Sequence, residues 1–169
     1  MMSVLPINIW GDSVLREKAD KVTEITNEEL NLIDDMIETM VKADGVGLAA
    51  NQISIPKSIA IINFSYFDEN MPPQAFFNIE LLEKSGSNEL EEGCLSIPGI
   101  KENVVRANFI KISYQNILGE KKILECEGFL ARVIQHELDH LNGLLFVDRL
   151  SSVKRKLINS KLKNIDKSQ

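Results

Sequence analysis

The segment Gln135-His136-Glu137-Leu138-Asp139-His140 holds the only two histidines of the 169-residue chain, spaced four apart. At about 100° per residue, positions i and i+4 lie roughly 40° from each other on a helix, so both imidazoles project from one face on successive turns. They can grip one ion. Glu137 sits about 100° round from His136, which places its carboxylate beside that ion, where it can take a proton from a bound water. Phe129, Val133, His136 and His140 follow one another at i, i+4, i+7 and i+11, a stripe that begins apolar and ends in imidazole. A solvated helix face would not be patterned this way.

An ion held for catalysis usually takes three protein ligands and leaves a position for water or substrate, so a third donor is required. One alternative is a zinc endopeptidase of the H-E-x-x-H type, but after Gly143 the chain runs LLFVDRLSSVKRK, with no histidine and Asp148 as the only acid. Another is a binding module with a structural ion, which would need a fourth protein ligand and would leave Glu137 without a purpose. Cysteine is the remaining donor type. Cys126 alternates with Glu125 and Glu127 and shares a face with Leu124, the pattern of a small apolar residue pointing inward from a strand. Cys94 lies in Glu91-Glu92-Gly93-Cys94-Leu95-Ser96-Ile97-Pro98-Gly99, read as an irregular turn that can offer its sulfur outward. It is the better ligand.

The surrounding chain reads as one α+β domain spanning 1–169. Thr26-Asn27-Glu28-Glu29 is a capping box, and Leu30, Ile33, Ile37, Met40 and Val41 continue it as a helix that Asp44-Gly45 stops. Ile59 to Phe64 and Ala75 to Leu82 are apolar β-rich runs on either side of a 68–73 loop. Ile110, Ile112 and Tyr114 alternate with polar residues, and a turn at 116–119 leads into Ile123 to Glu127, which predicts a hairpin. After Gly128 the period becomes helical through Leu130, Val133, Ile134, Leu138 and Leu141, until Asn142-Gly143 ends it. From Ser151 to Asn164 an amphipathic helix is expected, with Val153, Leu157, Ile158, Leu162 and Ile165 on its apolar side and basic residues opposite. The fold class is therefore mixed or antiparallel strands packed around a central metal-binding helix, with a helix before them and an amphipathic helix at the C-terminus.

Hydrophobic residues at 44% and charged residues at 26% suit a folded globular chain. A net charge of −6 argues against a protein that coats nucleic acid with its whole surface. No apolar run of about 18 residues and no export signal is found, so no membrane span is expected, the location is expected to be cytoplasmic and the thiols reduced.

Taken in order, GVGLAANQ at 45–52, EEGCLSIPG at 91–99 and QHELDHLNG at 135–143 resemble the peptide deformylases. The likeness extends through Phe77-Asn78-Ile79, Val105-Arg106, the Tyr114 strand, Ala131-Arg132 and Leu145 to Arg149. It implies a metal hydrolase that removes the formyl group from the N-terminal formyl-methionine of new polypeptides, acting as a monomer. By this resemblance Cys94, His136 and His140 hold a divalent ion, Fe(II) in the cell, with zinc, nickel or cobalt acceptable in purified protein. The catalytic set is Glu137 as general base and acid, Gln52 through its side-chain amide, Leu95 through its backbone N–H, and Gly47. Gly45 and Gly47 would let a substrate backbone pair closely with the protein. Val46, Phe129 and Val133, together with Gly45, are candidates for the substrate pocket. Glu92 and Arg106 are expected to pair and hold the cysteine loop, while Asp139 is either solvated or in contact with a ligand imidazole from outside. Asn51 stands where many family members have proline and is expected to loosen the loop beside Gln52. Lys154, Arg155, Lys156, Lys161, Lys163 and Lys167 make the C-terminal segment basic, which in the family can serve docking on the ribosome.

Overall fold

The computed structural model describes residues 2–165, so Lys167 of the expected basic tail lies outside the described residues. Helix α1 (Asn27–Lys42) starts where expected. Thr26 Oγ1 accepts from the Glu28 N–H at 3.2 Å, and the Glu29 carboxylate accepts from the Thr26 N–H at 2.9 Å. The buried stripe is rotated from the one expected. Leu30 and Val41 are exposed, while Leu32 and Met36 join Ile33 and Met40 inside. Apolar residues fill two neighbouring stripes of this helix, and only packing chooses between them. The helix stop also differs in detail, because Asp44 (φ 54°) adopts the left-handed conformation and Gly45 does not.

The central sheet has five strands: β1 (Gly47–Ala49), β2 (Ile59–Ile62), β3 (Gln74–Ser85), β6 (Phe109–Gln115) and β7 (Lys121–Glu127), in that spatial order. Each neighbouring pair is antiparallel. Side-chain alternation divides the core between the two faces. Leu48, Ile59, Ile61, Ala75 and Phe77 pack with α1, whereas Ala49, Ala60, Ile62 and Phe76 pack with α2 (Gly128–Leu141). Asn78, at φ 53°, interrupts β3 with a bulge and so brings Ile79 onto the same face as Phe76. Its side chain holds the bulge by bonding both the N–H and the C=O of Val22 at 2.8 Å. The run expected to continue to Phe64 leaves the sheet at Ile62 and turns through Phe64–Tyr66.

A second sheet was not expected. It is the antiparallel hairpin of β4 (Asn88–Cys94) and β5 (Ile97–Arg106), with Cys94 opposite Ile97 at its tip. Cys94 thus ends a strand instead of sitting in an irregular turn. Glutamates, Gly93, Pro98 and Gly99 hide the alternation of this segment. Ile97, Ile100 and Val104 join Leu145, Phe146 and Val147 in a third core cluster, which also receives α3 (Ser152–Lys163). Of the apolar residues expected on α3, Ile158 and Leu162 are buried and Ile165 packs at the edge. Val153 and Leu157 face outward, 66% and 72% exposed. At the end of α2, Gly143 takes φ 74°, and a Cβ there would come within 2.5 Å of the Arg16 carbonyl oxygen, so no other residue fits.

Hydrogen bonds from Lys57 and Thr26 hold the Glu29 carboxyl down at about 2. A carboxyl lowered on folding stabilises above its ordinary value near 4.5, and that stability is lost as pH falls toward 2. Glu29→Ala is expected to cost about 1 kcal/mol at neutral pH, with the difference from the parent shrinking below pH 4, as read by urea unfolding across pH.

Candidate metal centre and substrate cleft

Two parts of the fold bring the three donors together. Helix α2 supplies His136 and His140, and the tip of the β4–β5 hairpin supplies Cys94. The two imidazole Nε2 atoms are 3.2 Å apart, and the Cys94 Sγ lies 3.3 Å from the His140 Nε2. One ligand atom from each of the three residues lies within 4.8 Å of the others. Donors on a common tetrahedral ion, bound at about 2.0–2.3 Å, stand roughly 3.3–3.6 Å from each other. A thiolate and two imidazoles at this separation fit a divalent ion. Glu137 is 3% exposed, and its Oε2 is buried without a hydrogen-bond partner among the described residues, beside the donor set. Cys126 faces inward beside Leu124 on β7, and burial pushes its thiol up to about 11, so it has no part in the site.

Glu92 organises the candidate ligands. Its Oε1 accepts from the His136 Nδ1 at 2.9 Å, which leaves the His136 Nε2 for an ion. Arg106 bonds both Glu92 oxygens at 2.6 and 2.9 Å, and Arg132 bonds Glu92 as well. The expected Glu92–Arg106 pair is therefore real, and it is deeply buried. Burial alone would push Glu92 up, but hydrogen bonds from His136 and Arg106 outweigh it and hold the carboxyl at about 2. Burial would likewise lower His136, yet the Cys94 sulfur and the Glu92 carboxylate raise it well above its ordinary value. For His140, burial and the charges of His136 and Arg106 all act downward. Burial pushes Glu137 up to about 7, where a carboxyl can both accept and return a proton at neutral pH.

A cavity of about 460 Å³ opens over this centre. Gly45, Val46 and Gly47 form one wall, Phe129 and Val133 another, and Gln52, Cys94, Leu95, His136 and Glu137 also face it. All the residues named from sequence for substrate and catalysis thus surround one space. Gln52 is buried in the turn after β1, where its Oε1 accepts from the Ala49 N–H at 2.9 Å. Its Nε2 points toward the centre, 3.0 Å from the Ser96 Oγ and 3.7 Å from the Cys94 Sγ. Phe129 is 48% exposed at the rim and is braced by Phe67, with ring centroids 5.6 Å apart.

Two expectations change. Asn51 does not loosen its loop: it is fully buried, and its Nδ2 donates to the Glu17 carbonyl at 2.8 Å, which pins the loop to the N-terminal segment. Asp139 is neither solvated nor in contact with an imidazole. It is 6% exposed and accepts from Arg106 at 2.8 Å and from Arg149 at 2.6 and 3.1 Å. Arg132, buried on the cleft wall, was singled out by no chemical pattern, although its place four residues before His136 puts it on the ligand side of the helix. Gly47 has a reason beyond backbone pairing, because a Cβ there would lie 2.6 Å from the Glu137 Oε1.

A thiolate and two imidazoles on one side of a cleft, with a buried carboxyl at their flank, define a metal-dependent hydrolase type of centre. Comparison with known proteins is more specific. Residues 4–156 match the family model of polypeptide deformylase, and the chain belongs to that family. Peptide deformylase of Halothermothrix orenii is 45% identical over 157 residues, covering 93% of this chain and all of that protein. The crystal structure of a peptide deformylase from Ehrlichia chaffeensis in complex with actinonin superposes with a TM-score of 0.90 at 36% identity, covering 98% of this chain and 99% of that one. A Legionella pneumophila peptide deformylase gives 0.88 at 38% identity, covering 95% and 94%. The endopeptidase alternative finds no support in these matches.

Gly47→Ala is expected to displace the Glu137 carboxylate and lower turnover by about 100-fold or more, while the protein retains its metal. Elemental analysis beside steady-state kinetics checks both halves.

Proposed function

We propose that this chain, as a single catalytic domain and a monomer in the cytoplasm, removes the formyl group from the N-terminal formyl-methionine of newly made polypeptides and releases formate. The observation that carries the reading is the convergence of the Cys94 Sγ and two imidazole Nε2 atoms at the base of the cleft, beside a Glu137 oxygen that has no hydrogen-bond partner among the described residues. Cys94, His136 and His140 hold the ion. A thiolate with two imidazoles accepts iron, zinc, nickel and cobalt, and Fe(II) is the ion proposed for the cell. When bound, it supplies Lewis-acid activation of water and of the formyl oxygen.

The protein's own residues do the rest. Glu137 takes the proton of the water that attacks the formyl carbon and passes it to the departing amine nitrogen as the C–N bond breaks. The Gln52 Nε2 donates to the Ser96 Oγ at 3.0 Å and over a longer 3.7 Å to the Cys94 Sγ, and the N–H on the sulfur side turns to the formyl oxygen as negative charge grows there. The backbone N–H of Leu95 donates to the same oxygen. Strand β1 lies at an edge of its sheet, so an extended substrate can add beside Gly45, Val46 and Gly47. Val46, Phe129 and Val133 receive the methionine side chain. The exclusion of bulk water by these apolar walls strengthens the electrostatic contacts within.

Docking on the ribosome through α3 is part of the same proposal. Lys156, Lys161 and Lys163 are exposed, while Arg155 is engaged by Asp148 and Lys154 by Glu89. Among the described residues no helix is long and apolar enough to cross a membrane.

Given formyl-Met-Ala-Ser, its acetylated counterpart and the unblocked peptide, the protein is expected to release formate from the first alone; cleavage of an internal bond would defeat the proposal. Glu137→Ala should keep its metal and lose about 10²–10⁴ in turnover, and a variant that still turns over contradicts the proton path. Co-sedimentation with ribosomes is expected to fall steeply between low and high salt, and to weaken when Lys156, Lys161 and Lys163 become glutamine. Absent or salt-insensitive association removes the docking role.

A further inference from the structure

Behind the ligand imidazole, the buried charges form a closed circuit. Helix α2 carries His136 and, three residues on, Asp139. The His136 Nδ1 donates to Glu92 on β4, Glu92 accepts both N–H bonds of an Arg106 fork from β5, and a third Arg106 N–H returns to Asp139 at 2.8 Å. The side chains of Glu92, Arg106 and Asp139 are 6%, 3% and 8% exposed, so water does little to screen them. At its outer end Arg149, 45% exposed, clamps both oxygens of Asp139 at 2.6 and 3.1 Å. That end opens on a second cavity of about 370 Å³, lined among others by Gln135, Leu138, Asp139 and Arg149 on another side of α2 from the substrate cleft.

We propose that Asp139, braced by Arg149, is a positioning residue for the metal-ligand imidazole of His136, acting through Arg106 and Glu92. The inference rests on the reading of Cys94, His136 and His140 as a metal site. Glu92 already faces the guanidiniums of Arg106 and Arg132. Asp139 draws part of the Arg106 charge to itself and fixes the rotation of its fork. Without Asp139, Arg106 turns its whole charge on Glu92, which then holds the His136 Nδ1–H less strongly. A weaker acceptor at Nδ1 makes Nε2 a poorer ligand and frees the ring to rotate. Sequence distance conceals the circuit, because its members lie at 92, 106, 136, 139 and 149 and only the β4–β5 hairpin folded against α2 connects them.

Co(II) alone is the probe. The parent, Asp139→Asn and Arg149→Ala are stripped of metal, and the dissociation constant for Co(II) is read by competition with a chromogenic chelator. The visible ligand-field spectrum and the unfolding midpoint are read on the same samples. Asp139→Asn is expected to bind Co(II) about 10-fold more weakly or worse and to show a shifted spectrum. Arg149→Ala, an exposed change that keeps the fold even where Asp139→Asn does not, should move both in the same direction by less. Parent-like affinity and spectrum in a variant whose midpoint has fallen would reduce the circuit to a structural role and overturn the inference. Failure of the parent itself to take up one Co(II) would instead overturn the metal-site reading, and this inference with it.

Discussion

A single carboxylate, Glu92, decides whether the two halves of the site meet. It is almost without solvent contact and accepts from Arg106 on its own hairpin and from Arg132 and His136 on the helix across from it. A buried charge missing one partner is strongly destabilising, because desolvation is then left uncompensated. The hairpin that carries Cys94 and the helix that carries the imidazoles are therefore bound to assemble together. The geometry of the candidate ligands follows from that assembly: the carboxylate sets which nitrogen of His136 carries the proton, and the hairpin tip sets where the sulfur arrives.

The second constraint is steric. Glu137 has to be buried and still leave one oxygen free, and the room for its side chain is the room that a side chain at residue 47 would otherwise fill. The edge strand of the central sheet thus serves two ends at its first residue, Gly47. It clears space for the carboxylate below and leaves an edge position of the sheet toward the cleft, so in the proposed function proton transfer and substrate alignment share one stretch of backbone.

The parts of the site that were legible in sequence are those whose chemistry is rare or whose spacing is local. Two histidines four apart with nothing else competing for the role, a capping box at Thr26 and Glu29, and a cysteine beside a glycine all carry their own signal. The β4–β5 hairpin carried none, since its outer face is rich in glutamate and its inner face is apolar at only a few positions. The same holds for the inward stripe of α1 and for Val153 and Leu157 on α3, where apolar residues outnumber the places available to bury them. Asn51 looked like a loosened turn because its partner is a backbone carbonyl at Glu17, 34 residues away, and a carbonyl has no letter in the sequence.

What the sequence determined by itself was the identity of the candidate reacting groups and the helix that pairs two of them, because period and residue type act over a single turn. The tertiary structure alone decided which arginine meets which acid, that Asp139 faces inward, and why residue 47 has no side chain. Those outcomes depend on the close approach of segments far apart along the chain, and Coulomb attraction and excluded volume take effect only once folding has brought them within a few ångströms.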